Sequence, residues 1–598
     1  MRRHSVVHGR GPSPLGPRAV GVLAVLGALG LLLTAAPARA DDEALRAEVK
    51  DRMAKVEQAI DGWDLVGAER ELAELEKLVP AEVEALKYFR GRLDFEEGHY
   101  AEAADLLQQA GLEDKPGSYL RLAKDTLALT RGHKKAESDH FVFYYPNGKE
   151  EILVPYALET LESIYRAIQE DFGWTPPGGK IRVEVVNNAR ELSKISTLTY
   201  EQITTTGTIA ICKFNKLMVT SPKAVARGYD WQDTLAHEYI HLVVSQSSHN
   251  SVPIWLHEGF AKFEESRWRG EGGLGLSPSA LALLGKRVKA NTLVPFEKMS
   301  PSIAMLPNAE DAALAFAEVF YAISYVHDTK GTAGFRTIIQ ELRNGQTDRK
   351  AVEAAMGMPF PLFEKGWLAF IKKQPFPKEL LPREDVVLKE EAKGQDKEGA
   401  KKGREISFGD FDEVEELPAR KLAHLGEVLR ERDRTKAAAA EYSKAYQIVG
   451  DKYESVSNKY ALTLLELRRL DEAEQVLRGS LRVHPGMPGT NVHLGRIMLF
   501  RKDWVKAKEA YMEALSTNPF DPEIHVALTK IHDELGETAL MTRTKEAGAL
   551  LTGMTPQGIE NAAWKFMRDE KELSGAQVSN PQATEGAAPD AGPKDGGK

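Results

Sequence analysis

The chain has 598 residues, a net charge of −9 and 42% hydrophobic residues. That length suits about three or four domains, and the acidic balance gives no reason to expect nucleic acid as a partner. A single cysteine, Cys212, excludes an intramolecular disulfide and any cysteine cluster that would compete for a metal.

Residues 1–40 read as an export signal. Arg2, Arg3, Arg10 and Arg18 precede an apolar run from Ala19 to Leu33, and Ala38-Arg-Ala40 before Asp41 fits cleavage between small residues. The run is shorter than the roughly 20 residues a membrane span needs. No later segment approaches that length, so the mature chain is expected to be soluble, without a stable membrane span, and periplasmic or secreted.

Residues 41–135 read as a helical, tetratricopeptide-like region, with Ala68, Leu72 and Pro80 followed by Gly91, Ala103, Leu107 and Ala110. Residues 136–375 read as an α+β domain. His140–Tyr145 and Ile181–Val186 are strand-like and enclose a helix over about residues 151–170, while Gly207–Thr220 forms a strand or hairpin. Cys212 alternates within this last run and reads as a small buried apolar residue. A strand beside the helix that follows is suited to binding substrate by edge pairing. Helices over Leu281–Lys289, Ala312–Asp328, Gly334–Arg343 and Leu362–Lys372 complete a second, mostly helical lobe.

Residues 376–410 read as a charged, solvated linker dense in Lys and Glu. Residues 411–555 carry repeats: Ala473, Leu477 and Pro485 recur 34 positions later as Ala507, Tyr511 and Pro519, with Gly495 and Ala514 in place and Gly426, Ala438, Tyr442 and Ala445 as an earlier copy. These positions resemble tetratricopeptide repeats, in which small residues let two helices pack closely. Stacked units present a concave surface for a peptide or partner protein; the other reading is that the arrays only pack on the central domain. In residues 556–598 a final helix runs to about 573, and the Gly-, Pro- and Ala-rich tail is expected to be disordered.

The chemistry lies in His237-Glu-Tyr-Ile-His241. On a helix, histidines four positions apart share a face and reach one zinc ion, and Glu238 points into the adjoining space. Leu235, Ala236, Tyr239, Ile240, Val243 and Val244 give the flanks the spacing of a buried helix. A catalytic zinc needs three protein ligands and an open position. Glu258, in a second apolar helix from Ile254 to Phe263, is the third candidate, with His257 as a substitute ligand or an orienting neighbour. His249 is a weaker alternative, and the longer HExxHxxGxxH pattern is absent because Val244 and Ser247 occupy its Gly and final His positions. Asp233, Glu264 and Glu265 stand within one or two turns of these residues and are candidates for orienting an imidazole, against the plainer reading of exposed helix charge.

With Pro253-Ile-Trp-Leu-His-Glu-Gly-Phe-Ala261 downstream, the motif resembles gluzincin metallopeptidases, specifically the peptidase MA-like domains of bacterial exported proteins, in which a WLxEGxA segment supplies a glutamate ligand. The resemblance covers roughly residues 136–375. It implies one zinc ion held by His237, His241 and Glu258, Glu238 as general base, and a peptide or protein substrate. It departs where such domains often carry a tyrosine in a YxxS-like helix, since Phe316 and Val319 stand there. Tyr321 or Tyr325 is then the candidate oxyanion donor, against the reading of an aromatic stripe as core. The expected architecture is multidomain and mainly α, with a zincin-like α+β domain between helical repeat arrays. The expected function is zinc-dependent peptide hydrolysis; the alternative is a repeat scaffold carrying an inactive peptidase-like domain.

Overall fold

The structure, a computed structural model, describes residues 40–270, 275–300, 302–377, 388 and 411–564. The expected export signal before residue 40, nearly all of the charged linker and the tail from 574 lie outside the described residues. The chain divides into two compact units, one holding residues up to 493 together with Glu513–Phe520, the other Leu494–Met512 and residues from 521 onward.

Five helices open the first unit: α1 (Ala40–Asp61), α2 (Leu65–Glu76), α3 (Glu84–Glu97), α4 (Tyr100–Gln109) and α5 (Tyr119–Thr130). Val49, Val56, Ile60, Ala68, Leu72 and Leu75 bury the seam between the first two. The caps are local: Asp64 accepts from the Gly67 amide and Ser118 from the Arg121 amide.

A five-stranded sheet follows, β1 (His133–Glu137), β2 (Phe141–Pro146), β3 (Ile181–Val186), β4 (Ala210–Lys213) and β5 (Lys216–Thr220), in the order β1-β2-β3-β5-β4. The three central strands are parallel, and β1 and β4 run antiparallel at the edges. Strand β1 has no counterpart in the sequence reading, because His-Lys-Lys-Ala-Glu shows no apolar alternation; its pairing with β2, as at Lys135 opposite Tyr144, makes it a strand. The β4–β5 hairpin turns through Phe214 and Asn215, both at positive φ (56° and 54°), as a two-residue hairpin of the primed type requires. A phenylalanine holds this conformation because its ring packs against Phe95 and Tyr119 of the preceding helices. Cys212 is buried in β4, as its setting in the sequence suggests.

Helix α6 (Val154–Phe172) crosses between β2 and β3, and α7 (Ala189–Ile195) and α8 (Tyr200–Thr206) precede the hairpin. The second lobe holds α9 (Trp231–Ser248), α10 (Ile254–Glu264), α11 (Pro278–Ala290), α12 (Ala309–Lys330), α13 (Thr332–Arg343), α14 (Asp348–Met356) and α15 (Phe360–Ile371). Helix α14 is additional to the sequence reading; Thr347 caps it by accepting from the Lys350 amide.

Of the charged linker, Leu388 is described, and it is buried in an antiparallel bridge to Val225. Leu388, after which the linker's apolar content falls away, is thus anchored in the central domain. Four helix pairs follow, α16 (Leu417–Arg430) with α17 (Thr435–Val449), α18 (Glu454–Glu466) with α19 (Leu470–Val483), α20 (Pro488–Phe500) with α21 (Trp504–Thr517), and α22 (Pro522–Glu534) with α23 (Thr538–Thr552). The second helices begin at 435, 470, 504 and 538, steps of 35, 34 and 34 residues. Gly426 faces the Tyr442 ring and Gly495 the Tyr511 ring, so the small and aromatic positions of the period are the pairs that pack. The molecule is mainly α, with an α+β domain between helical arrays. Among the described residues no helix is long and apolar enough to cross a membrane.

Candidate metal centre

Helix α9 is buried on nearly every side, which follows from its Leu, Ala, Tyr, Ile and Val content flanking the two histidines. It stops at His249, whose φ of 51° is left-handed and whose amide turns back to Ser245 and Gln246. His249 is thus an exposed helix cap, two turns beyond His241, and not a third ligand. After the turn, Pro253 starts α10. Gly259 allows α10 to lie close on α12: a Cβ there would stand 2.8 Å from Ile323 Cγ1 and 3.1 Å from the Val319 carbonyl oxygen.

This packing brings His237, His241 and Glu258 together, all buried. His237 Nε2 and His241 Nε2 are 3.0 Å apart. Glu258 Oε2 lies 3.5 Å from the first and 3.6 Å from the second. Donors about 2.0–2.1 Å from a tetrahedral zinc stand about 3.3 Å from one another, so the triangle has the dimensions of one face of such a shell. Glu258 Oε2 has no hydrogen-bond donor, and neither does either carboxylate oxygen of Glu238. Buried carboxylate oxygens without donors are costly in a protein interior; a cation beside them removes that cost. The donor set therefore fits a metal ion. Asp94, Glu97 and His99 form the other such group among the described residues, but they lie mostly exposed at a helix end.

Each imidazole is held by its other nitrogen. His237 Nδ1 lies 3.0 Å from Glu265 Oε2. His241 Nδ1 lies 2.6 Å from His257 Nδ1, and His257 Nε2 lies 3.1 Å from Ser245 Oγ. Such contacts set the tautomer and leave both Nε2 atoms facing the cluster. Sequence reasoning named Glu265 only as one of several candidates and did not name Ser245. Both were available as helix spacings: Glu265 is seven positions, two turns, beyond Glu258, and Ser245 one turn beyond His241. His257 lies outside the triangle, against His241 Nδ1, since adjacent helical residues point about 100° apart and Glu258 faces the cluster.

The electrostatics follow from burial. Burial pulls His237 down, but the Glu258 and Glu265 carboxylates beside it outweigh this and raise it to about 10. Burial and the neighbouring His237 and His257 push His241 well below the usual histidine range. Burial, with Glu258 nearby, raises Glu238 to about 8 against the pull of His237 and the approach of the Cys212 amide. A bound cation lowers it toward the ionised form that a base requires.

Four candidates stand elsewhere. Asp233 accepts from the Trp268 indole at 2.7 Å and pairs with Arg269 at 3.2 Å, turned away from His237, whose Nδ1 meets Glu265 because α10 presents it there. Tyr321 packs on Phe320 and Phe370, and Tyr325 on Phe363 and Phe370. Their rings fill an aromatic seam between α12 and α15 and do not join the His/Glu cluster. Glu264 turns to Arg267 and Asp171.

Among curated proteins no match to the chain is found. Among solved structures, one titled "Crystal structure of MamA" is 15% identical, covering 26% of this chain and 97% of its own with a TM-score of 0.20. Another, "Crystal structure of MamA protein", is 14% identical, covering 29% of this chain and 98% of its own with a TM-score of 0.22. Residues 168–373, which include both the His237–His241 motif and the Glu258 helix, match the family model described as Peptidase MA superfamily.

Proposed function

We propose that the chain is an exported zinc metallopeptidase that hydrolyses peptide bonds, with His237, His241 and Glu258 as ligands to one zinc ion and Glu238 as general base. The observation that carries this reading is the buried donor triangle of 3.0, 3.5 and 3.6 Å with a carboxylate beside it whose oxygens have no donor. When bound, the metal polarises a carbonyl and makes water a nucleophile near neutral pH. Glu238 accepts the proton of the attacking water and returns it to the leaving amine as the C–N bond breaks. Glu265 and His257 hold the two imidazoles so that little reorganisation is needed.

Strand β4 is an edge strand, and the amide of its Cys212 approaches Glu238. An extended peptide added antiparallel to that edge would pass its carbonyls along the base. The repeat arrays add a surface for the substrate or a partner protein. The residues before Asp41 direct the chain to the periplasm or the exterior.

The test is Glu238→Gln, which keeps the shape of the side chain and removes its basicity. The variant should retain one zinc per chain and lose at least about a hundredfold of the cleavage of an unfolded protein, the scale of a general base. Equal cleavage by wild type and variant would remove Glu238 from the mechanism. Zinc retention without cleavage in either protein would favour the scaffold reading, to which the packing of Tyr321 and Tyr325 away from the cluster lends support.

A further inference from the structure

The segment between β5 and α9 is gripped by residues nearly three hundred positions away. Gly228 has φ 76°, and a Cβ on it would fall 2.1 Å from the Thr517 carbonyl oxygen, so only glycine fits. The next amide, Tyr229, donates to that oxygen at 3.1 Å. The Thr517 hydroxyl lies 3.0 Å from Asp230 Oδ1 and 3.1 Å from the Gly486 carbonyl oxygen. The indole of Trp231, the first residue of α9 and almost wholly buried, donates to the Leu515 carbonyl at 3.4 Å. One turn on, Arg269 ties Asp233 at 3.2 Å to Glu513 at 3.6 Å. Arg227 adds a pair to Glu454 at 3.4 Å.

Asp230 is the N-cap residue of α9, yet its carboxylate makes no bond to the amides of its own helix. An Asp at this position ordinarily caps locally; here it is turned to the end of α21. The start of the helix is therefore set by the repeats. His237 and His241 ride on α9, whereas Glu258 and Glu265 ride on α10, so a small slide or rotation of α9 opens the donor triangle. Metal sites hold their geometry only within about 0.5 Å.

We propose that the C-terminal repeats brace the metal-binding helix through Glu513, Leu515 and Thr517, which makes Thr517 and Asp230 positioning residues for the metal centre. The inference rests on the metal-binding reading of His237, His241 and Glu258, and is independent of whether the site cleaves peptides. It goes beyond passive packing, which would stabilise the fold without altering ligand geometry.

The experiment uses the full chain with Thr517→Val, which removes the hydroxyl at nearly constant shape, and Thr517→Ser, which keeps it. Ala438→Gly, a buried repeat position away from the contact, is the control for lost stability. The readouts are zinc affinity by chelator competition, the visible spectrum of the Co²⁺-substituted protein, and amide exchange across residues 231–241 before metal is added. Thr517→Val should lose up to about tenfold in affinity, the low end for outer contacts to a metal site, shift the Co²⁺ spectrum and speed exchange; Thr517→Ser should restore all three. Affinity, spectrum and exchange indistinguishable from wild type in Thr517→Val, or the same changes in Ala438→Gly at matched stability, overturn the brace alone. A wild-type chain that binds no metal overturns the site reading and the brace together.

Discussion

Glu265 shows how much of this centre turns on single side chains. Burial alone would push its carboxyl up, but Lys262 and His237 hold it below the usual range, so it is an ionised acceptor for His237 Nδ1. Removing it leaves a buried imidazole free to choose the wrong tautomer. Glu265→Ala should weaken zinc binding by about 10- to 100-fold, read by chelator competition, while Asp233→Ala should change it far less. Equal losses in the two variants would contradict the assignment. At this scale the histidines, Glu238 and Glu258 were legible because the i,i+4 spacing and the apolar flanks are properties of one or two helices. The choice between Asp233 and Glu265 was not, because it depends on the face that α10 presents to α9.

At the scale of elements, the pairing of α10 with α12 sets the depth of the site. Gly259 admits the Val319 carbonyl, so the two helices lie close. The same helix α12 buries Glu318, whose Oε1 accepts from the Val294 amide at 2.9 Å while Oε2 has no donor. Burial raises its carboxyl to about 8 from 4.5, against the smaller effect of that amide. A folded-state value above the unfolded one means the folded chain binds the proton more tightly. Its contribution is therefore complete below about pH 4.5 and is lost as pH rises through about 8. Glu318→Gln keeps the acceptor and does not titrate. Relative to wild type it should gain on the order of 1–3 kcal/mol between about pH 5 and pH 9, measured by denaturant unfolding of the metal-free chain. A difference that does not change with pH would show that Glu318 is not protonated in the fold. The β1 strand was missed at this scale because an edge strand with polar residues on both faces carries no alternation, and only its register with β2 defines it.

For the whole molecule, the decisive contacts join regions that the sequence presents as separate. Tyr100 of α4 hydrogen-bonds Glu184 of β3, and Lys216 of β5 reaches Tyr100 at 2.7 Å and Glu184 at 2.9 Å. Glu184 and Lys216 are fully buried, and Arg182 adds a second cation at 2.6 Å from Glu184. Beside them Phe95 packs on Phe214. The N-terminal helices are thus part of the sheet's core. Glu184→Gln would strand two cations and should cost about 3–5 kcal/mol, whereas Glu184→Leu with Lys216→Met should recover part of that loss, because well-packed apolar groups can replace a buried pair. Denaturant unfolding reads both, and a double variant no more stable than Glu184→Gln would refute the pairing.

What the chain determined locally was therefore considerable: the helix spacing of His237 and His241 and the later Glu258, the strands with strong alternation, the 34-residue helix period and the buried course of α9. Each depends on residues within a few turns of one another, where helix and strand geometry is a fixed ruler. The tertiary structure alone decided that Glu265 and His257 lie against the imidazoles of His237 and His241, that Tyr321 and Tyr325 pack in an aromatic seam, that Leu388 pairs with Val225, and that Asp230 meets Thr517, 287 positions away. Those outcomes depend on which faces of distant elements meet, and that is set by packing the whole core at once, which no local periodicity encodes.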